Sequence, residues 1–390
     1  MSNYKNLFHE FQPASKEEWV AQVLKELKGK PIESLDWSVT SDLTLPPFFH
    51  REDAVAAVGP MVFQKENNNW EIGEDIYVAD LAQANKDALQ ALTNGVASIC
   101  FVLPKGLSSL EELQKLLQNI EPTFISIYFK LMNASNVLEL ANYWTTYIKA
   151  QGANPSEIRG GFSTDFFEAD EPTNFGTIKT LTQQATTLPN FSALNVSFNI
   201  YERDLNGQIE TMAMTLAKGS EYLASLSNMD LPVNTIHQQM TFDIEVGNSY
   251  LIEIAKIRAF QLMWSQILQA YGIKGTAFIN AKLSASAYAD DPYSNMIRAT
   301  AMGMSAVIGG INRLTILPAN ATKETATDFT RRVARNLQHL FKMESYLDRV
   351  VDPAAGSYYL EYLTRYIGEK SWARFQEMEK EGGYLQLSNT

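Results

Sequence analysis

Apolar positions fall into two rhythms that alternate along most of the chain. Short, mostly continuous apolar runs at 70–76, 97–103, 124–129, 158–164, 193–199, 235–244, 276–283 and 313–317 read as strands. Segments of helical period at 82–92, 110–120, 135–150, 175–185, 207–223, 249–271 and 292–307 separate most of them. Continuous rather than alternating apolar strands predict parallel strands buried on both faces. Eight such units over about 250 residues predict an α/β fold, a (β/α)8 TIM barrel. A doubly wound sheet is the structural alternative, but no glycine-rich dinucleotide turn supports it.

The two ends follow other rules. Residues 1–55 read as an arm. Ser15 with Glu18 forms a capping box that opens a helix through Lys28, ended by Gly29 and Pro31. Trp19, Val23, Leu24 and Leu27 make its apolar stripe, and an extended stretch with Leu43, Leu45, Pro46, Pro47, Phe48 and Phe49 follows. Such a segment cannot bury its own apolar face, so it lies on the barrel or on a second subunit. Residues 56–325 are assigned to the barrel and 326–390 to C-terminal helices. In the first of these, Phe329, Val333, Leu337, Leu340 and Phe341 predict the buried stripe. Arg331, Arg332, Arg335 and Lys342 predict the opposite face, solvated or at an interface rather than on a bound phosphate. Asp352-Pro353-Ala354-Ala355-Gly356 reads as a turn that fixes the last helices.

Composition narrows the function classes. The chain has 390 residues, is 45% hydrophobic and carries a formal charge of -12. Lys and Arg are scattered and outnumbered, so nucleic acid is not an expected partner. A single cysteine, Cys100, excludes a disulfide within the chain, and its apolar surroundings read as burial. No apolar run reaches the length of a membrane span and no secretory leader pattern opens the chain, so a soluble cytoplasmic protein is expected. No pair of histidines has metal-ligand spacing, and His237 reads as a hydrogen-bonded core residue on a strand. Asp165, Glu202 and Asp204 fall just past predicted strand ends, as solvated loop acids or helix N-terminal charges rather than a hydrolase pair. Ile99, Phe101, Ile125, Ile127, Phe129, Phe198 and Phe278 sit on strands. Some of them are expected to point inward and close the barrel axis.

Several stretches together carry a family resemblance. They are SKEEWVAQVLKELKG at 15–29, DWSVTSDLTLPPFFHRED at 36–53, ANKDALQALTNGVASICF at 84–101, TMAMTLAKGSEYL at 211–223, EIAKIRAFQLMW at 253–264, DPYSNMIRAT at 291–300 and ARNLQHLFKMESYLDRVVDPAAGSYYLE at 334–361. In this order they resemble the methylmalonyl-CoA mutase family of cobalamin-dependent acyl-CoA isomerases. The resemblance implies a barrel that threads coenzyme A along its axis, an arm that embraces a partner subunit, and a following cobalamin domain. It also implies a Tyr and an Arg that hold the acyl carboxylate, and a Tyr-His pair after the fifth strand that polarises the thioester.

This sequence departs from that pattern. The Gly-Tyr-His positions fall on Phe198-Asn199-Ile200, the glutamine after strand four on Ser163, the arginine near Thr173 and the strand-eight histidine on Thr315. The strand-one tyrosine is missing from Trp70-Glu71-Ile72-Gly73, and isoleucine cannot donate a hydrogen bond to a carbonyl. No Asp-x-His-x-x-Gly is present to hold cobalamin. The pattern implies a small, non-catalytic subunit with no catalytic or cofactor-binding residue of its own. Adenosylcobalamin and the active site then belong to a large subunit in a heterodimer, and a homodimer is open to the chain in isolation. The alternative is a catalytically competent acyl-CoA relative whose site is rebuilt from Ser163, Asn199 and Tyr201.

Overall fold

The computed structural model describes residues 12, 14–50, 53, 65–132, 134–168, 173–199 and 204–387. The arm begins with α1 (Lys16–Glu26), where the Ser15 hydroxyl accepts the Glu18 N–H and the Glu18 carboxylate accepts the Ser15 N–H. A two-stranded antiparallel ribbon, β1 (Trp37–Ser38) and β2 (Thr44–Leu45), follows. Strand and helix then alternate: β3 (Glu71–Tyr77), α2 (Leu81–Thr93), β4 (Ser98–Leu103), α3 (Leu110–Leu116), β5 (Ser126–Leu131), α4 (Val137–Gln151), β6 (Arg159–Phe162) and α5 (Phe175–Ala185). The series continues with β7 (Asn190–Ser192), β8 (Leu194–Phe198), α6 (Leu205–Ser227), α7 (Val233–Gln238), β9 (Met240–Val246), α8 (Tyr250–Ala270), β10 (Ile279–Leu283), α9 (Pro292–Gly309), β11 (Arg313–Thr315) and α10 (Asp328–Met343). Two further helices, α11 (Tyr358–Lys380) and α12 (Tyr384–Leu387), end the described chain.

The large sheet runs β7-β6-β5-β4-β3-β11-β10-β9-β8, every pair parallel. β7 and β8 are halves of one strand position separated by Ala193, so the ring of eight positions closes through the chain itself. An isolated parallel bridge between Asp165 and Asn195 spans the gap. This is the expected TIM barrel. Helix starts follow local sequence: Asp80, Ser109, Asn174, Asp204 and Asp291 each accept a backbone N–H in the first turn of the following helix. Asp204 is thus a cap, as its position suggested. Gly160 is fixed by space: its φ is +127°, and a Cβ there would stand 1.8 Å from the Ile127 carbonyl oxygen on β5.

Four expectations are corrected. The run at 235–244 is not one strand. Pro232 opens the short helix α7, which carries His237, and the strand starts at Met240. A short apolar run does not distinguish strand from buried helix. His237 is half-buried and its buried Nδ1 has no hydrogen-bond partner, so it is not a hydrogen-bonded strand residue.

Of the apolar strand residues singled out, Phe278 lines the cavity at the N-terminal end of the barrel, whereas Phe101, Phe129 and Phe198 do not plug it. Phe129 packs edge-on against Trp144 of α4 and beside Phe101, and Lys256 of α8 lies over Phe198, so these rings face the helix layer. Ile99 and Ile127 share that side by the period-two alternation.

Helix α10 does not present a plain apolar stripe to the core. Arg335 is 3% exposed, whereas Phe329 is 52% and Leu340 49% exposed. The cause is Glu74 of β3, which points out toward α10. Arg331 Nε meets Glu74 Oε1 at 2.6 Å and Arg335 Nη1 meets Oε2 at 2.8 Å. A carboxylate wedged between strand and helix needs cations, and those arginines are neither solvated nor free to hold a phosphate.

Asp165 is not a solvated loop acid. It is buried and ion-paired with Lys218 at 3.0 Å, as the strand-end loop folds inward over α6. Glu202 lies outside the described residues.

The arm lies on the chain's own α11. Trp37 stacks on Tyr359 at 6.4 Å, and Phe49 sits 5.4 Å from both Tyr359 and Tyr362. Helix α1 itself buries no residue.

Candidate functional site

The interior of the barrel is polar. Glu71 and Asp75 on β3, Ser98 on β4, Tyr128 on β5 and Arg313 on β11 converge there at alternate strand positions. Asp75 Oδ2 accepts from Lys282 Nζ at 2.8 Å, and its Oδ1 lies 3.3 Å from both Arg313 Nη2 and Thr315 Oγ1. Burial alone would raise the Asp75 carboxyl, but Lys282 and Arg313 outweigh it and hold the group well below the ordinary carboxylate range. Arg313 reaches across to Ser98 Oγ at 2.6 Å and lies over the Tyr128 ring at 5.0 Å. Burial pushes the Tyr128 hydroxyl well above its usual value.

A second cluster centres on Asp243 of β9. Its Oδ1 accepts from Asn195 at 2.8 Å and from Asn280 at 2.9 Å, and its Oδ2 accepts from Ser163 Oγ at 2.5 Å. Together the clusters draw a side chain from each of the eight strand positions. They form a polar layer of separate hydrogen-bonded clusters inside the barrel, in which Glu71 Oε2, Asn195 Oδ1 and Asn280 Oδ1 have no partner. Below it, at the N-terminal end of the strands, a cavity of about 650 Å³ ends against Glu71, Ser126 and Tyr128.

The sequence-singled positions fall on or near this layer, mostly in paired roles. Ser163 donates to Asp243 and Thr315 to Asp75. Thr173 donates to the Phe166 carbonyl oxygen at 3.2 Å. Asn199 donates to Glu168 Oε2 at 2.8 Å. Ile200 and Tyr201 lie outside the described residues. The structure therefore brings Ser163 and Thr315 into the interior and leaves Thr173 and Asn199 with the rim loops. Sequence reading missed Asp75, Asp243, Lys282 and Arg313. Their signal was a charged residue at alternating positions of otherwise apolar strands, in GEDIY, TFDIEV, INAKL and RLT.

The rim after the fourth and fifth strands holds a further ion cluster. Lys218 of α6, itself buried, donates to Asp165 Oδ2 at 3.0 Å and to Glu168 Oε1 at 2.7 Å. Asp165 also accepts the Ser197 and Phe167 N–H groups. Burial pushes the Asp165 carboxyl up against the pull of Lys218.

The sequence model for "Methylmalonyl-CoA mutase" matches residues 82–389. The chain belongs to the methylmalonyl-CoA mutase family. It is 33% identical to the methylmalonyl-CoA mutase small subunit of Porphyromonas gingivalis, over 99% of this chain and 66% of that protein. The corresponding small subunit of Propionibacterium freudenreichii is 26% identical over 97% of this chain and 64% of its own length. The mutase large subunit of the same organism is 26% identical over 71% of this chain and 40% of its own length. The chain thus spans less than two thirds of the lengths of these relatives.

The family is one of cobalamin-dependent enzymes. His339 Nε2 lies 3.1 Å from the Asn94 carbonyl oxygen, beside the turn after α2. His237 lines the cavity at the N-terminal mouth, and His50 belongs to the arm. No group of three or more His, Cys, Asp or Glu side chains arranged to hold a metal occurs among the described residues. No described helix is long and apolar enough to cross a membrane.

Proposed function

We infer that this chain acts as the small subunit of an adenosylcobalamin-dependent methylmalonyl-CoA mutase, which interconverts methylmalonyl-CoA and succinyl-CoA. It is catalytically silent and supports a large subunit that carries both adenosylcobalamin and the reaction. The observation that carries this reading is the polar layer. Where the family would leave an axial passage and place substrate-holding side chains, Ser163 is engaged by Asp243 and Thr315 by Asp75. Arg313 and Lys282 are committed to Asp75 and Ser98. To serve a ligand, Ser163 and Thr315 first have to give up a hydrogen bond to a carboxylate, and Arg313 its buried pairing with Asp75.

Small and large subunits matching this chain occur together in P. gingivalis and in P. freudenreichii, which supports a heterodimer. Residues 1–55 then form the subunit-contact arm, 56–325 the barrel and 326–390 the helices that lead to a cobalamin-type domain. The complex works in the cytoplasm.

Chemically, this chain's own part is structural. It holds its barrel rigid without a ligand and presents the arm to the partner. The test is reconstitution. Purified chain with adenosylcobalamin and methylmalonyl-CoA gives no succinyl-CoA, and adding the large subunit gives turnover. Turnover by the chain alone would overturn the reading. Saturable binding of acyl-CoA by the chain alone would favour the rebuilt-site alternative.

A further inference from the structure

We propose that α12 is a latch that holds residues 165–168, just past the fourth barrel strand, against the end of the fifth. The starting point is the reversal between α11 and α12. Gly382 and Gly383 have φ of +107° and +81°, backbone that side-chain-bearing residues rarely adopt. This turn folds α12 back onto α6, and Gly383 comes close to Glu221. The first residue of α12 is Tyr384. Its ring lies 5.5 Å from Lys218 Nζ and 5.0 Å from the Phe167 ring, so it caps the buried cation on one side and the loop aromatic on the other.

Beneath the ring, one charge ties two loops. Lys218 holds Asp165 and Glu168, both in the segment after β6. Asp165 accepts the Ser197 N–H of β8 at 2.8 Å, and Glu168 accepts from Asn199 just past β8. This matters because β6 and β8 share no strand ladder, and among the described residues the backbone pairing between their ends is the isolated Asp165–Asn195 bridge. The cluster does the work of the missing pairing. Phe167 continues inward to Tyr222 of α6 at 4.5 Å. Removing the Tyr384 ring opens Lys218 and Asp165 to water, which weakens their attraction and frees residues 165–168 from the end of β8. The state of the segment after α11 is thereby transmitted to the rim of the barrel. This inference goes beyond the proposed mutase role and does not depend on it.

Hydrogen exchange on the full chain tests it. In Tyr384→Ala the Phe167 and Ser197 amides, both bonded to Asp165, exchange about tenfold faster or more, while β4 amides keep their rates. Tyr384→Phe, which keeps the ring, retains the protection. Unchanged Phe167 and Ser197 rates, or an equal acceleration of every barrel amide, overturns the latch. The unaltered protein offers a second measurement that needs no substitution. Along a denaturant series below unfolding, the Leu387, Phe167 and Ser197 amides open together with one denaturant dependence. Separate openings overturn the proposal.

Discussion

Arg258 grips Asp352 with two parallel hydrogen bonds, Nε to Oδ1 at 2.9 Å and Nη2 to Oδ2 at 3.0 Å. The arginine is fully buried in α8, and the aspartate sits at the turn between α10 and α11. The same Nη2 reaches Glu361 at 2.8 Å, and Nη1 reaches the Thr364 hydroxyl at 2.9 Å. One guanidinium therefore fastens the C-terminal helices to the barrel wall. Burial pushes the Asp352 carboxyl up, against the pull of Arg258.

Arg258→Met should destabilise the chain by about 3–5 kcal/mol, because it leaves two buried carboxylates without their cation. Urea unfolding followed by circular dichroism measures this. A loss under about 1 kcal/mol would show that the clamp is not what holds α11.

Gly160→Ala should be among the most damaging single substitutions, at roughly 4 kcal/mol or more. The new methyl group meets the Ile127 carbonyl at a spacing no backbone tolerates, in a φ region unfavourable to alanine. Soluble yield and thermal melting report it, and a near-native melting temperature would contradict the strand spacing.

Acid should weaken the fold partly through Asp75. Its folded-state pKa lies below the unfolded one, so the unfolded chain binds the extra proton first. The contribution is fully present above about pH 4 and is lost as pH falls through and below that value. Asp75→Asn should be less stable at neutral pH and show a flatter loss of stability below about pH 4. Parallel pH titrations of unfolding free energy check the sign; an unchanged slope would refute it.

The double substitution Trp19→Ala with Leu24→Ala should lower the melting temperature of the isolated chain only slightly, since Trp19 packs on Phe48 of the arm itself and Leu24 is 43% exposed. The same variant should bind the large subunit at least about tenfold more weakly. Calorimetric titration separates the two effects, and equal affinity would remove α1 from the interface. In contrast, Phe49→Ala should speed proteolysis of the arm, because that ring anchors it to Tyr359 and Tyr362.

Much of the architecture was legible because it is written locally. Apolar runs at strand length, the helix N-terminal charge Asp204 and the Ser15–Glu18 box each act within a few residues. Ser163, Asn199 and Thr315 could be singled out from the sequence, but not the partners they meet. What Ser163 does depends on Asp243, eighty residues away on another strand.

By itself, the sequence determined the barrel, the arm and the family, because period, caps and motif order need no knowledge of long-range partners. Only the tertiary structure decided which way side chains face and what they meet. Phe101, Phe129 and Phe198 turned to the helices, while Tyr128 turned inward beneath Arg313, among charges that compensate one another. Helix α10 turned Arg331 and Arg335 inward, because Glu74 waited there. Asp165 became a buried ion-pair partner, because α6 brought Lys218 beneath it. A buried charge is stable only beside its counter-charge, and closing the ring is what brings such pairs together.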